Sequence, residues 1–188
     1  EKPYLDEVVW KFIPDVKMLA TSLQTGDIDI ADDITGPDVE TLKQDSKIEV
    51  QSVPSLNVYF LGMDLTECPT KDIRVREAVN CALDMDTIVN TIFKWGGAER
   101  AYLPLPPNSW GYDKELENLA PKYDLEKAKS LMKEAGYENG FKSVVYAPNK
   151  PLRTQLATIV QTQLKEIGID FEIKTVEWGT FSDAVSKG

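Results

Sequence analysis

In GDIDIADDI, Gly26 to Ile34, apolar and acidic positions alternate: Ile28 and Ile30 fall on one side, Asp27 and Asp29 on the other. A period of two predicts a half-buried strand over 27–31. Comparable runs predict strands over 6–13 (DEVVWKFI), in KIEVQSV (47–53) and in LNVYFLGM from Leu56. Between them the spacing turns helical. Asp15 opens a helix with Val16, Leu19, Ala20 and Leu23 on one face, and Gly26 stops it; a short helix follows Pro37.

The next stretch is mostly helical. Asp72 starts a helix carrying Val75, Ala78, Val79 and Ala82. Asp84 or Asp86 starts another with Ile88, Val89, Ile92 and Phe93, closed by Gly96 and Gly97. The proline-rich AYLPLPPNSWGYD predicts an extended loop. Asp124 then opens a helix with Leu125, Ala128, Leu131, Met132 and Ala135 on one stripe and Gly136 at its end. The last third predicts strand 141–147, helix 152–167, strand 169–176 and a terminal helix after Trp178. Strands alternating with helices indicate an α/β architecture, mixed sheets flanked by helices.

The helix starts differ in one chemical respect. Asp15, Asp38, Asp72, Asp84 or Asp86, and Asp124 stand at or near five of them, where a carboxylate accepts from free amides and complements the helix dipole. The helix reached through APNKPLRTQ has no acid there and adds Lys150 and Arg153 to an end that is already positive. Two readings stand side by side. In one, Asn149 caps the helix while both cations extend into water. In the other, free amides and cations form a seat for an external carboxylate or phosphate.

Composition narrows the chemistry. Histidine is absent from the 188 residues, which removes His-based triads and the commonest transition-metal ligand. A net charge of −10 repels phosphate backbones, so no nucleic-acid partner is expected. The four aspartates of GDIDIADDI fail as a calcium loop: in the register from Asp27, Ala31 takes a ligand position and Asp32 the glycine position, and the register from Asp29 fails likewise. No metal site and no cofactor is expected. Cys81, within AVNCAL, reads as a buried thiol rather than half of a disulfide with Cys68. No phosphate loop or catalytic carboxylate pair can be placed, so the chain does not read as an enzyme and no catalytic residue is assigned. Trp110 and Trp178 are candidate ligand platforms, with core or interdomain packing as the alternative. No apolar run is long enough to span a membrane, and the chain looks cut from something longer.

In order along the chain come PYLDEVVWKFIPD, LQTGDIDIADDI, LNVYFLGMD, DIRVREAVNCALDMDTIV, PLPPNSWGYD, YDLEKAKSLMKEAGYENGF and LRTQLATIVQTQLKEIGIDFEIKTVEWGTF. Together they resemble the family 5 extracellular solute-binding proteins, the oligopeptide and dipeptide binders of ATP-driven importers. The resemblance implies part of a two-lobed, periplasmic-binding-protein type II-like α/β fold. Residues 1–55 would be a piece of the first lobe. Residues 56–188 would be a second-lobe ligand-binding domain truncated at its C-terminus. It further implies a peptide ligand, membrane permease subunits as partners, and an extracytoplasmic location, as a lipoprotein in the full-length form.

For the site, the resemblance places Arg153, in LRTQLA, against the peptide's C-terminal carboxylate, with Asn149 and Lys150 on the same loop and Trp178 lining a side-chain pocket. The acid that holds the peptide's amine would lie beyond Gly188. Two positions depart from the family pattern: Val185 replaces a basic residue of some oligopeptide binders, and Asp64 the usual asparagine. Sugar, opine, haem or nickel-complex binders share the fold and form the alternative, together with a fragment that binds nothing alone.

Overall fold

The computed structural model describes residues 3–32, 34, 36–53, 55–94 and 97–187. The chain divides into two compact units, residues 1–54 with 93–97, and residues 55–92 with 98–188.

The first unit carries helices α1 (Val16–Thr25) and α2 (Pro37–Lys43). Asp15 caps α1 by accepting the Met18 amide, and Gly26 ends it in the left-handed conformation, φ 78°. The expected Asp38 cap of α2 is corrected: Gly36 holds the cap position with no side-chain bond, and Asp38 lies within the first turn. The strands expected over 6–13, 27–31 and 47–53 do not form. A strand needs a neighbour for its amides and carbonyls, and among the described residues these segments have none. Their apolar side chains are left in water: Val9, Trp10, Phe12, Ile30 and Val53 are all exposed.

The second unit holds the larger core. Helices α3 (Ile73–Ala82) and α4 (Met85–Ile92) are followed by a 3-10 turn over Lys114–Leu119, then α5 (Leu125–Glu134), β1 (Phe141–Pro148), α6 (Pro151–Lys165), β2 (Ile169–Val176) and α7 (Trp178–Lys187). The apolar stripes predicted for α3 and α5 meet. Val75, Ala78, Val79, Cys81 and Ala82 pack with Ala128 and Met132, and with Leu164, Ile167, Ile169 and Phe171 from the end of α6 and the start of β2. The run from Leu56 forms no ladder either, yet its alternation survives in burial. Leu61 and Met63 pack against this core while Phe60 stays exposed.

Asp84, not Asp86, caps α4, taking the Thr87 amide at 2.9 Å. Gly97 is left-handed at φ 91°, whereas Gly96, the other expected stop, lies outside the described residues. Cys68 and Cys81 are both free thiols, and burial pushes the Cys81 thiol upward.

β1 and β2 pair in parallel and in register, from Phe141 opposite Ile169 to Pro148 opposite Val176, with α6 as the crossover. Parallel neighbours require such a crossover, and it leaves both strand ends pointing to one edge. The starts of α6 and α7 therefore lie along that edge.

Asp72 makes a measurable pH device at the start of α3. Its carboxylate accepts from the Arg74 guanidinium (2.6 Å) and the Arg74 amide (2.8 Å), and these hydrogen bonds hold its pKa down from 3.8 to about 2. A depressed pKa gives stability that is fully present above the unfolded value and lost as pH falls through the folded one. Asp72→Asn keeps an acceptor but removes the charge. The variant is expected to melt below wild type at pH 7, with the gap closing between about pH 4 and pH 2. An equal gap at both ends of that window would contradict the charge-based origin.

Candidate functional site

α6 opens at Lys150 with no side-chain cap, with Pro151 in its first position and no acid in its first turn. Proline has no amide to donate and fixes φ for helix entry. The first amide bonded back into the helix is that of Thr154, to the Lys150 carbonyl (3.1 Å). The amides of Leu152 and Arg153 are therefore left facing the open end. Contrast α1, α3 and α5, where Asp15, Asp72 and Asp124 each accept a first-turn amide.

Asn149 does not cap α6, which corrects the first reading of this start. Its backbone amide extends the parallel ladder to the Val176 carbonyl (2.8 Å), and its side-chain amide donates to Glu177 Oε1 (2.9 Å). Glu177 immediately precedes α7, and its carbonyl accepts the Phe181 amide (2.9 Å). One hydrogen bond thus ties together the two loops that leave the parallel strands. It also brings Trp178 to the same edge as Asn149 and Lys150. Trp178 is 63% exposed and lies beside Phe181, ring centroids 5.6 Å apart. Trp110 is wholly exposed, so neither tryptophan is a core residue of this unit.

Arg153 does not extend freely into water. Its guanidinium carbon sits 4.2 Å over the centre of the Tyr59 ring, and no acid among the described residues pairs with it. No hydrogen bond or ring contact joins Arg153 to Trp178 directly. The site is an open edge, not an enclosed cavity. A hollow of about 340 Å³ lies along α1 and α2, and another of about 450 Å³ over Lys142, Val144, Asp170 and Glu172; neither includes Asn149, Lys150, Arg153 or Trp178. Among the described residues no cluster of three or more acidic or sulfur side chains could hold a metal ion.

Sequence reasoning missed Glu177 and Tyr59. Glu177 carried a faint signal, as an acid just before a helix whose first turn has none. Tyr59 carried none, because its contact joins segments far apart in the chain. Asp64, the departure from asparagine, accepts the Thr66 amide (2.8 Å) and hydroxyl (2.7 Å) through one oxygen. An asparagine carbonyl could do the same.

Comparison with known proteins identifies the family and the fold of the chain. The whole chain, residues 1–188, matches the family model described as bacterial extracellular solute-binding proteins, family 5 Middle. It is 31% identical to the dipeptide-binding protein of Escherichia coli over 100% of this chain and 35% of that protein. It is 30% identical to heme-binding protein A of Haemophilus influenzae, over 98% of this chain and 34% of that one. Among solved structures it resembles the ABC transporter-associated periplasmic binding protein DppA from Helicobacter pylori in complex with the peptide STSA. The TM-score is 0.79 at 34% identity, over 96% of this chain and 35% of that one. The fold is part of a periplasmic-binding-protein type II fold, as expected. The chain spans about a third of the length of the relatives it matches.

Proposed function

We propose a function from one premise: the chain belongs to the bacterial extracellular solute-binding proteins, family 5. It is a piece of the substrate-binding component of an ABC importer that captures extracellular peptides and hands them to membrane permease subunits. It performs no catalysis. Residues 1–55 belong to one lobe and 56–188 to the second, and the full-length protein works outside the cytoplasm as a lipoprotein. The observation that carries the reading is the start of α6, an uncapped, acid-free helix end whose Arg153 pairs with no acid among the described residues. Such an end favours an anion, and a peptide's free C-terminus supplies one. Trp178, Asn149 and Lys150 share the edge and form the surrounding wall.

A second reading has its own support. A relative named for heme binding matches as long a stretch at similar identity, and heme also bears carboxylates. Calorimetry on the full-length protein separates the two. Di- to pentapeptides with free C-termini are expected to bind at micromolar affinity or better. Tight binding of heme, a sugar or an opine with no heat from any peptide would overturn the peptide reading.

The 188-residue chain alone is expected to give no heat beyond dilution. Binding clefts bury about 70–90% of a ligand's surface, and one wall forfeits most of that. A micromolar constant from the chain alone would refute the division of the site between lobes.

A further inference from the structure

We infer that Tyr59 is a positioning residue for the ligand's carboxylate, holding the Arg153 guanidinium over the face of its ring so that the N–H groups stay open to the anion. This rests on the reading of Arg153 as the carboxylate's partner.

The four arginines of the chain make the case by contrast. Arg74 spends its donors on Asp72 (2.6 Å) and on the Glu134 carbonyl (2.7 Å). Arg76 donates to the carbonyls of Thr70 and Lys71, both at 2.9 Å. Arg100 lies over Tyr102, but it also donates to the Pro121 carbonyl (3.1 Å) and faces Asp86 at 3.7 Å. Arg153 alone makes no side-chain hydrogen bond or ion pair among the described residues; there its guanidinium lies 4.2 Å over the Tyr59 ring.

The chemistry of that partner matters. Guanidinium donors lie in the plane of the group, so a carboxylate binds at its edge as a two-pronged pair. A carboxylate partner inside the protein would consume that edge. An aromatic ring uses the face, attracts the cation through its quadrupole, and leaves all five N–H groups unspent. Arginine also has large rotamer entropy to lose on binding. A ring that fixes the side chain beforehand removes part of that loss from the binding step.

Tyr59 is itself well placed to act as a fixed surface. It shares the parity of Leu61 and Met63, whose side chains pack against the core of α3 and α5. The neighbour of opposite parity, Phe60, is 80% exposed, whereas Tyr59 is about half that. Lys150, at the cap position of α6, makes no ion pair or ring contact among the described residues and gains no such preorganisation.

The test uses the full-length protein, a tripeptide with a free C-terminus and the same tripeptide amidated. Tyr59→Leu is expected to weaken the free acid roughly fivefold to tenfold, the size of a partly exposed cation–π contact. Its affinity for the amide should equal wild type, which also shows that the variant is folded. Tyr59→Phe keeps the ring face and should restore wild-type affinity for the acid. In an Arg153→Ala background, Tyr59→Leu should cost nothing further. If Arg153→Ala weakens the acid but Tyr59→Leu does not, the positioning role is overturned and the carboxylate assignment survives. Equal losses for acid and amide in Tyr59→Leu would overturn it too, since the ring would then act on ligand or fold without Arg153. If Arg153→Ala leaves the acid unaffected, the underlying assignment fails first and the inference falls with it.

Discussion

Arg153→Ala in the full-length protein should weaken a peptide with a free C-terminus by roughly ten- to a hundredfold. The charge-assisted bond it removes is worth about 1.5–3 kcal/mol, and each 1.4 kcal/mol is a factor of ten. The helix end beneath it stays intact in the variant, because the Leu152 and Arg153 backbone amides do not depend on the side chain. Some anion preference therefore survives, which keeps the loss from being larger. Amidating the peptide in the wild type should cost a similar factor. The two losses should not add, because both delete one interaction. Lys150→Ala should matter less, since its ammonium makes no ion pair among the described residues. Additive losses would move the carboxylate to another cation.

Gly140→Ala should be the most damaging single substitution in the strand pair that carries the site, at the end of the strands away from it. Gly140 and Gly168 precede the two parallel strands, both left-handed, φ 71° and 80°. A methyl group on Gly140 would lie 1.9 Å from the Gly168 carbonyl oxygen, which already accepts the Phe141 amide at 3.1 Å. Left-handed backbone costs alanine about 1–2 kcal/mol by itself. The clash can be relieved only by moving β1 away from β2, which breaks the first rungs of the ladder. The expected total is about 3 kcal/mol or more, or a melting temperature lower by roughly 6–12 °C at this size.

Two controls separate the causes. Gly136→Ala meets open space at φ 84° and should show the conformational cost alone. Gly179→Ala has neither an unusual φ nor a neighbour within 4 Å, and should stay within about 0.5 kcal/mol of wild type. Melts followed by circular dichroism rank the three. If Gly140→Ala is no worse than Gly136→Ala, the two loops do not pack as closely as described.

Helices were legible in the sequence because their signals are local. Asp15 with Gly26, Asp72, and Asp124 with Gly136 each mark an end within one turn of the residues they govern, and the structure places α1, α3 and α5 there. β1, α6 and β2 were legible for a related reason, since a β-α-β unit brings its own partner strand. The runs 6–13, 27–31 and 47–53 have the side-chain pattern of strands but no ladder. Alternation belongs to one segment, and a ladder belongs to two. The 3-10 turn over Lys114–Leu119 escaped notice because KELENL has no apolar stripe, although Asp113, which accepts the Glu115 amide, was there to be read.

The site was legible in part, for the same reason. An acid-free helix start can be read from nine residues. That Asn149 turns from the helix to Glu177, and that Tyr59 underlies Arg153, depends on which distant segments meet. A side chain's hydrogen-bond partner is chosen by tertiary geometry, and Asn149 had two acceptable roles within its own loop's chemistry.

The most direct test of the account is a crystal structure of the full-length protein with a bound tripeptide carrying a free C-terminus. The expected result is its carboxylate within about 2.7–2.9 Å of the Arg153 guanidinium, at the open end of α6, with the guanidinium still over the Tyr59 ring. A peptide carboxylate held by other cations, with Arg153 left on Tyr59 and touching no ligand atom, would contradict it.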